Sequence, residues 1–250
     1  MTVTGGAVVA SSAGAAAGAP VGRRERLRTE AVAQIKSAAL EQVRLQGAGG
    51  LSLRAVAREV GMSSPGLYRY YASRDELLTV LIVDAYDDLS AALELARDAA
   101  GPDLAARLRT VSLAYFDWAS SHHAEWALVF GAPVPTYHAP VDGGTTAAAR
   151  RFAAVFTGLL AEGWDVCSQR LASPPLLQRR SDAVVRFGDV ELPDDPRFLG
   201  VATRLWSRLH GVVALGLFGH LLPATVDAGA MRTLYEAEVD DQLAVLGLTP

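Results

Sequence analysis

The segment "GMSSPGLYRYY", residues 61–71, holds the side chains best suited to touching a charged polymer. Ser63, Ser64 and Gly66 are small enough to let a backbone come close. Tyr68 and Tyr70 carry hydroxyls on rings that lose little freedom when ordered, and Arg69 sits between them. Arg54 and Arg74 flank the segment, and "RRERLR" at 23–28 adds more cations upstream. Hydroxyls, guanidinium groups and free N–H groups at a helix start are the usual ligands of phosphate oxygens. The chemistry on offer is binding to a polyanion, with no bond made or broken.

The elements around these residues must be helices. Leu27, Ala31, Ile35, Ala38, Ala39 and Val43 recur at three- and four-residue steps, predicting a helix from Arg23 to about Gln46 that "GAGG" (47–50) ends. Ser52 caps a short helix over 52–60, and Gly61 interrupts it. Ser63 caps the next helix, with Pro65 in its first turn. Ala57 is a small residue for a helix crossing, and Val56, Val60, Met62 and Leu67 form the set expected to be buried. This is helix-turn-helix grammar, and the second helix would be the one laid in a DNA major groove. Ser73 and Glu76 then form a capping box that opens a long helix, whose apolar stripe runs to Gly101–Pro102. That helix is expected to be the one continuous element touching both halves of the chain, and so the lever between them.

The remainder also has helical periodicity: Asp103 to about His122, continuing brokenly to Phe130; Thr145 to about Val166; Pro196 to Leu222; and a last helix after Asp227. Residues 131–144 form a loop, and 173–195 are irregular apart from a small hairpin within 183–192. The expectation is an all-α chain of about nine helices. It divides into a disordered Ala/Gly/Ser tail (1–20), a helix-turn-helix domain (21–74) and a helical sensing and pairing domain (75–250).

Charge supports this division. Residues 21–74 have a net charge of +6 within a chain of −4, so the rest carries −10. A basic module on an acidic body suits one polyanion-facing region. A single cysteine, Cys167, excludes an intramolecular disulfide and points to a reducing, cytoplasmic setting. The apolar run 212–219 is far short of the roughly 20 residues that span a bilayer. No Gly-rich phosphate loop, HExxH or GxSxG is present, which leaves an enzyme without a catalytic constellation. His122 and His123 are adjacent and would point about 100° apart on a helix, so no metal and no cofactor is expected.

The string "VGMSSPGLYRYYASRDELL", with "IKSAAL" at 35–40 and the long helix that follows, resembles the N-terminal domain of the tetracycline-repressor (TetR) family of transcription regulators over residues 27–90. Arg74 stands where the family usually has Lys, and Tyr71 where it often has Phe. The resemblance implies that Arg54, Ser64, Pro65, Gly66, Tyr68, Tyr70 and Arg74 meet a double-stranded DNA operator. "WSRLHGVVALGLFGHL" (206–221) resembles the Trp-His-Gly type of C-terminal domain in that family, through Trp206, His210 and Gly211. That implies a homodimer through helices 196–222 and 227–248, which fits a stretch from Leu209 to Leu222 that is apolar on nearly every face. It also implies a small-molecule effector that releases a repressor from its operator. Tyr86, Trp118, His122, Trp126, Phe130, Phe152, Phe156 and His210 are the candidate cavity residues, with Arg151 a further polar candidate. Two other functions stand beside this one: an architectural DNA binder without a sensor, and a helical-bundle enzyme.

Overall fold

Side-chain caps set where the helices begin. In the computed structural model, which describes residues 22–134, 137–139, 143–171, 186–187, 189–221 and 227–248, five helices start on a Ser or Asp that accepts a backbone N–H from three residues on. Each such cap contributes about 1 kcal/mol. The helices are α1 (Arg23–Gln46), α2 (Leu53–Glu59), α3 (Ser64–Leu67), α4 (Arg74–Ala99), α5 (Leu104–Ser121), α6 (His123–Phe130), α7 (Gly144–Glu162), α8 (Trp164–Arg170), α9 (Phe198–Leu217) and α10 (Ala228–Leu246). Between α8 and α9, β1 (Arg186–Phe187) and β2 (Val190–Glu191) pair antiparallel as a minimal hairpin.

The architecture is all-α, as the periodicity predicts, with ten helices among the described residues instead of about nine. Gly163 splits the single helix expected over 145–166 into α7 and α8. Pro196 lies outside α9, which starts at Phe198: the Asp195 carboxylate accepts the Arg197 N–H (2.8 Å) and so organises the turn before the helix. α9 ends at Leu217, and Gly219 (φ +69°) closes it. The expected tail at 1–20 and most of the irregular stretch at 173–195 lie outside the described residues.

Two apolar cores result. The smaller gathers Ile35, Ala39, Leu53, Val56, Leu67 and Tyr71 from α1–α3 with Leu77, Leu78, Leu81 and Ile82 of α4. The first turns of α4 therefore belong to the small core, beyond the boundary expected at residue 74. The larger core is built from α4 beyond Leu89 with α5–α10. α4 runs through both, and Tyr86 packs against each. It has company: α6 puts Trp126 and Phe130 in the larger core, while Leu128, Val134 and Tyr137 pack on the smaller one. The Tyr137 hydroxyl also hydrogen-bonds Thr79 Oγ1 at 3.0 Å. The expectation of a single lever is thus corrected to two connections.

Candidate nucleic-acid interface and cavity

The turn between α2 and α3 is built on Gly61, whose φ of +68° is a left-handed conformation that costs a residue with a Cβ. Beyond it, Ser63 Oγ accepts the Gly66 N–H at 3.2 Å, and α3 runs for four residues before a turn carries the tyrosines. Leu67 is fully buried and anchors this segment in the small core, joined by Tyr71. Tyr68 is 47% exposed, Arg69 is exposed and Tyr70 is half-buried. Arg54, Ser63 and Pro65 are exposed, and Ser64 is partly so. Met62 and Val60, expected in the buried set, are half-buried.

Two residues stand differently from expectation. Gly66 is buried, and a Cβ there would stand 3.1 Å from Ser63 Oγ, so a larger residue would have to shift the capping hydroxyl. With Pro65 lacking an N–H and Gly66 engaged, the start of α3 offers fewer free donors than expected. Arg74 is half-buried. Its guanidinium donates to the carbonyls of Ala48 (3.0 Å), Gly49 (3.1 Å) and Leu51 (3.1 Å), tying the start of α4 to the turn between α1 and α2.

The surrounding cations are not tied down in this way. Arg23, Arg24, Arg28, Arg54, Arg58 and Arg69 are exposed, and none has a side-chain partner among the described residues. Arg23, Arg24, Arg28, Arg69 and Tyr70 line one surface groove, so the start of α1 and the α3 turn form one cationic face.

The larger core holds a partly open cavity of about 290 Å³ between α4, α5, α6, α7, α9 and α10. Tyr86, Phe130, Phe152 and Phe156 line it, as the aromatic content of this region suggests. Trp206, Ser112, Thr157 and Gln242 also line it and are not among the cavity candidates read from the sequence. The i, i+4 spacing of Gln242 with Glu238 was the available signal, but an inward amide at that position has no signature of its own.

The remaining candidates stand off the wall. Trp118 donates to Asp88 (2.7 Å) and stacks on His122 with ring centroids 4.9 Å apart, near the surface of α4. Arg151 is exposed and paired with Asp87. Trp126 and His210 lie one layer behind the cavity. The buried Tyr115 hydroxyl accepts from Trp126 Nε1 (3.0 Å) and bonds His210 Nδ1 (2.8 Å). Burial pushes the Tyr115 phenol up and the His210 imidazole down, so both are neutral at pH 7. Tyr115 therefore donates to an unprotonated Nδ1, which leaves the His210 proton on Nε2. Trp206 stacks on His210 at 4.9 Å and thereby joins this layer to the wall.

A helix-turn-helix with an exposed cationic turn, carried on a helical body, defines a DNA-binding transcription regulator. Residues 35–81 match the family profile described as bacterial regulatory proteins, tetR family, and residues 108–241 match the tetracyclin repressor-like C-terminal domain. An HTH-type transcriptional regulator of Mycobacterium tuberculosis, and another of Mycobacterium bovis, are each 38% identical over 201 residues, 80% of this chain and 86% of theirs. The crystal structure of a protein described as regulatory, SCO4313, is 38% identical, covers 89% of this chain and 100% of its own, and superposes with a TM-score of 0.70. The fold is shared at 13% identity by the transcriptional regulator FadR from Bacillus subtilis in complex with stearoyl-CoA (TM-score 0.59, 85% of this chain, 98% of that one). The chain belongs to the TetR family of transcription regulators. It is a regulator and not an enzyme.

Proposed function

We propose that this regulator is a homodimeric repressor that leaves a palindromic operator when a small molecule fills its C-terminal cavity. Arg54, Ser63, Ser64, Pro65, Tyr68, Arg69 and Tyr70 meet the DNA. Arg74 holds the α3 turn in position through the carbonyls it caps. The observation that carries the DNA face is the set of six exposed arginines without side-chain partners among the described residues. Cations without counter-charges on the protein find them in a phosphate backbone, and releasing the backbone's counterions drives the binding.

The dimer forms through α9 and α10. Leu215 (45% exposed), Phe218 (50%), Leu234 and Val245 lie bare on these helices, and a second copy would cover them. Leu217 packs partly against the protein's own core, so Leu215 and Phe218 are the better sites for disrupting the pair. The two reading turns then lie about 34–36 Å apart, one turn of DNA. The cavity favours a sensor over a purely architectural DNA binder, and FadR, of the same fold, carries a small molecule. The place of action is the bacterial cytoplasm, where the chromosome is.

The test selects operators first. Purified protein is incubated with sheared genomic DNA and the retained fragments are sequenced. A recurring inverted repeat is expected. Tyr68→Phe should weaken binding to that repeat several-fold at unchanged thermal stability. Retention without any shared sequence would remove the operator assignment.

A further inference from the structure

We propose that the cavity takes an uncharged, ring-bearing small molecule that donates an O–H or N–H hydrogen bond to the side-chain oxygen of Gln242. This rests on the sensing function above and names the ligand chemistry it leaves open.

None of the described residues lining the cavity is Asp, Glu, Lys, Arg or His. An ion entering this wall would lose its hydration without gaining a counter-charge. The faces and edges of Tyr86, Phe130, Phe152, Phe156 and Trp206 supply the apolar surface. They already meet in tilted and edge-on pairs, such as Phe152–Trp206 at 5.3 Å and Phe130–Phe152 at 5.7 Å. A planar ring between them extends the same packing.

The polar groups of the wall face the ligand mostly as acceptors. Ser112 Oγ spends its proton on the Leu108 carbonyl (2.8 Å), and Thr157 Oγ1 on that of Ala153 (2.8 Å), so both present lone pairs. Gln242, 4% exposed, donates from Nε2 to Glu238 Oε1 at 2.8 Å. Glu238 is itself held by Arg208 Nε at 2.6 Å. A carboxylate only accepts, so Glu238 can take only the NH₂ end of the amide. The Arg208–Glu238 pair thereby fixes the Gln242 orientation. The Gln242 oxygen accepts no hydrogen bond among the described residues. Tyr86 can serve either way: burial holds its phenol protonated, and its hydroxyl has no partner among the described residues. Against one donor-only group of the wall, the Trp206 indole N–H, three acceptors and one two-way group leave the balance on the side of a ligand that donates. An ammonium ion also donates, and ring faces attract cations. Glu238, which holds the Gln242 amide, is already engaged by Arg208 and does not line the wall.

The test uses four probes on one ring system: 2-naphthol, 2-methoxynaphthalene, 2-naphthoate and 2-naphthylmethylammonium. Binding to the full chain is measured by calorimetry, and release from the selected operator is scored in parallel. 2-Naphthol should bind at least about tenfold more tightly than 2-methoxynaphthalene, which cannot donate, and more tightly than either ion. In Gln242→Leu the first two should fall within about threefold of each other, because the acceptor is gone. Equal binding of naphthol and its methyl ether, tighter binding of an ion, an undiminished preference in Gln242→Leu, or no binding of any probe overturns the assignment. Should Gln242→Leu fail to fold, the ranking on the unaltered protein decides. An ion that binds best and releases DNA would overturn the ligand class and leave sensing intact. Donor-selective binding that never changes DNA affinity would do the reverse.

Discussion

The two cores use arginine in opposite ways. Around the small core, Arg23, Arg24, Arg28, Arg54, Arg58 and Arg69 stand exposed with no partner among the described residues. Around the larger core, arginines join helices: Arg107 to Glu162 (α5–α7), Arg109 to Asp240 (α5–α10), Arg151 to Asp87 (α7–α4), Arg208 to Glu238 (α9–α10) and Arg232 to Asp117 (α10–α5). Arginine is thus mostly a bare cation in one region, where Arg44 and Arg74 are exceptions, and mostly part of an internal seam in the other, where Arg150 and Arg170 are exceptions. A paired surface arginine gives the fold at most about 1 kcal/mol. An unpaired one gives the fold almost nothing and keeps its full charge for an external polyanion. The contrast separates residues whose loss costs binding from residues whose loss costs stability.

The largest effect expected tests the bare side. Replacing Arg54 and Arg69 together with Ala should cost about 2–6 kcal/mol in operator affinity and lower the salt slope of log affinity by about two. The melting temperature should move by no more than about 4 °C, since each exposed substitution changes stability by at most about 0.5 kcal/mol. A protein that melts early yet keeps its operator affinity in gel-shift titrations would break the contrast. Next comes the inside of the larger core. Tyr115→Phe removes the one group that serves both Trp126 Nε1 and His210 Nδ1. Each group left unpaired costs about 1–3 kcal/mol, and in a chain of this size about 2–4 °C of melting temperature follows each kcal/mol. DNA affinity of the folded fraction should stay as it was.

Acidity gives a smaller effect, again confined to the larger core. His210 is held below its ordinary value by burial, so below about pH 6.5 the unfolded chain binds a proton that the folded chain resists. Stability should therefore fall as pH drops from 7 to 5.5, by at most about 1.4 kcal/mol per unit. Calorimetric melts on His210→Gln should show a flatter pH dependence; an equal slope would locate the titration elsewhere. Smallest of all, Arg109→Ala should lower stability by at most about 1 kcal/mol and leave the salt slope unchanged. A change in that slope would mean that paired arginines also reach DNA.

Much of this was legible in the chain. Caps such as Ser52, Ser63, Ser73, Asp103 and Asp227 act through residues three positions away, so local sequence suffices to read them. The same holds for Gly61, whose positive φ is a property of one residue. What failed to show was long-range. Arg74 looked like a free cation because the carbonyls it caps lie more than 20 positions upstream. Gly66 looked like a point of close approach, but the space beside it is filled by Ser63 Oγ. Trp118 and Trp206 are both aromatic and both on helices, yet only Trp206 reaches the cavity, and helix rotation decides that. Gln242 was invisible because its inward role depends on Glu238 and, through it, on Arg208 of another helix.

The two-sided packing of α6 has a mechanical consequence. One rod between two bodies permits both swivelling and tilting. Because Leu128 is seated on the small core while Trp126 and Phe130 are seated in the large one, the joint has two struts. Swivelling about the long axis of α4 would shear the α6 contacts, so the remaining soft motion is a rocking in a single plane, like a door on its hinges. Tyr86 of α4 and Phe130 of α6 line the same cavity, so a wedge driven there would press on both struts, and the difference between the two pushes would set how far Tyr68 travels.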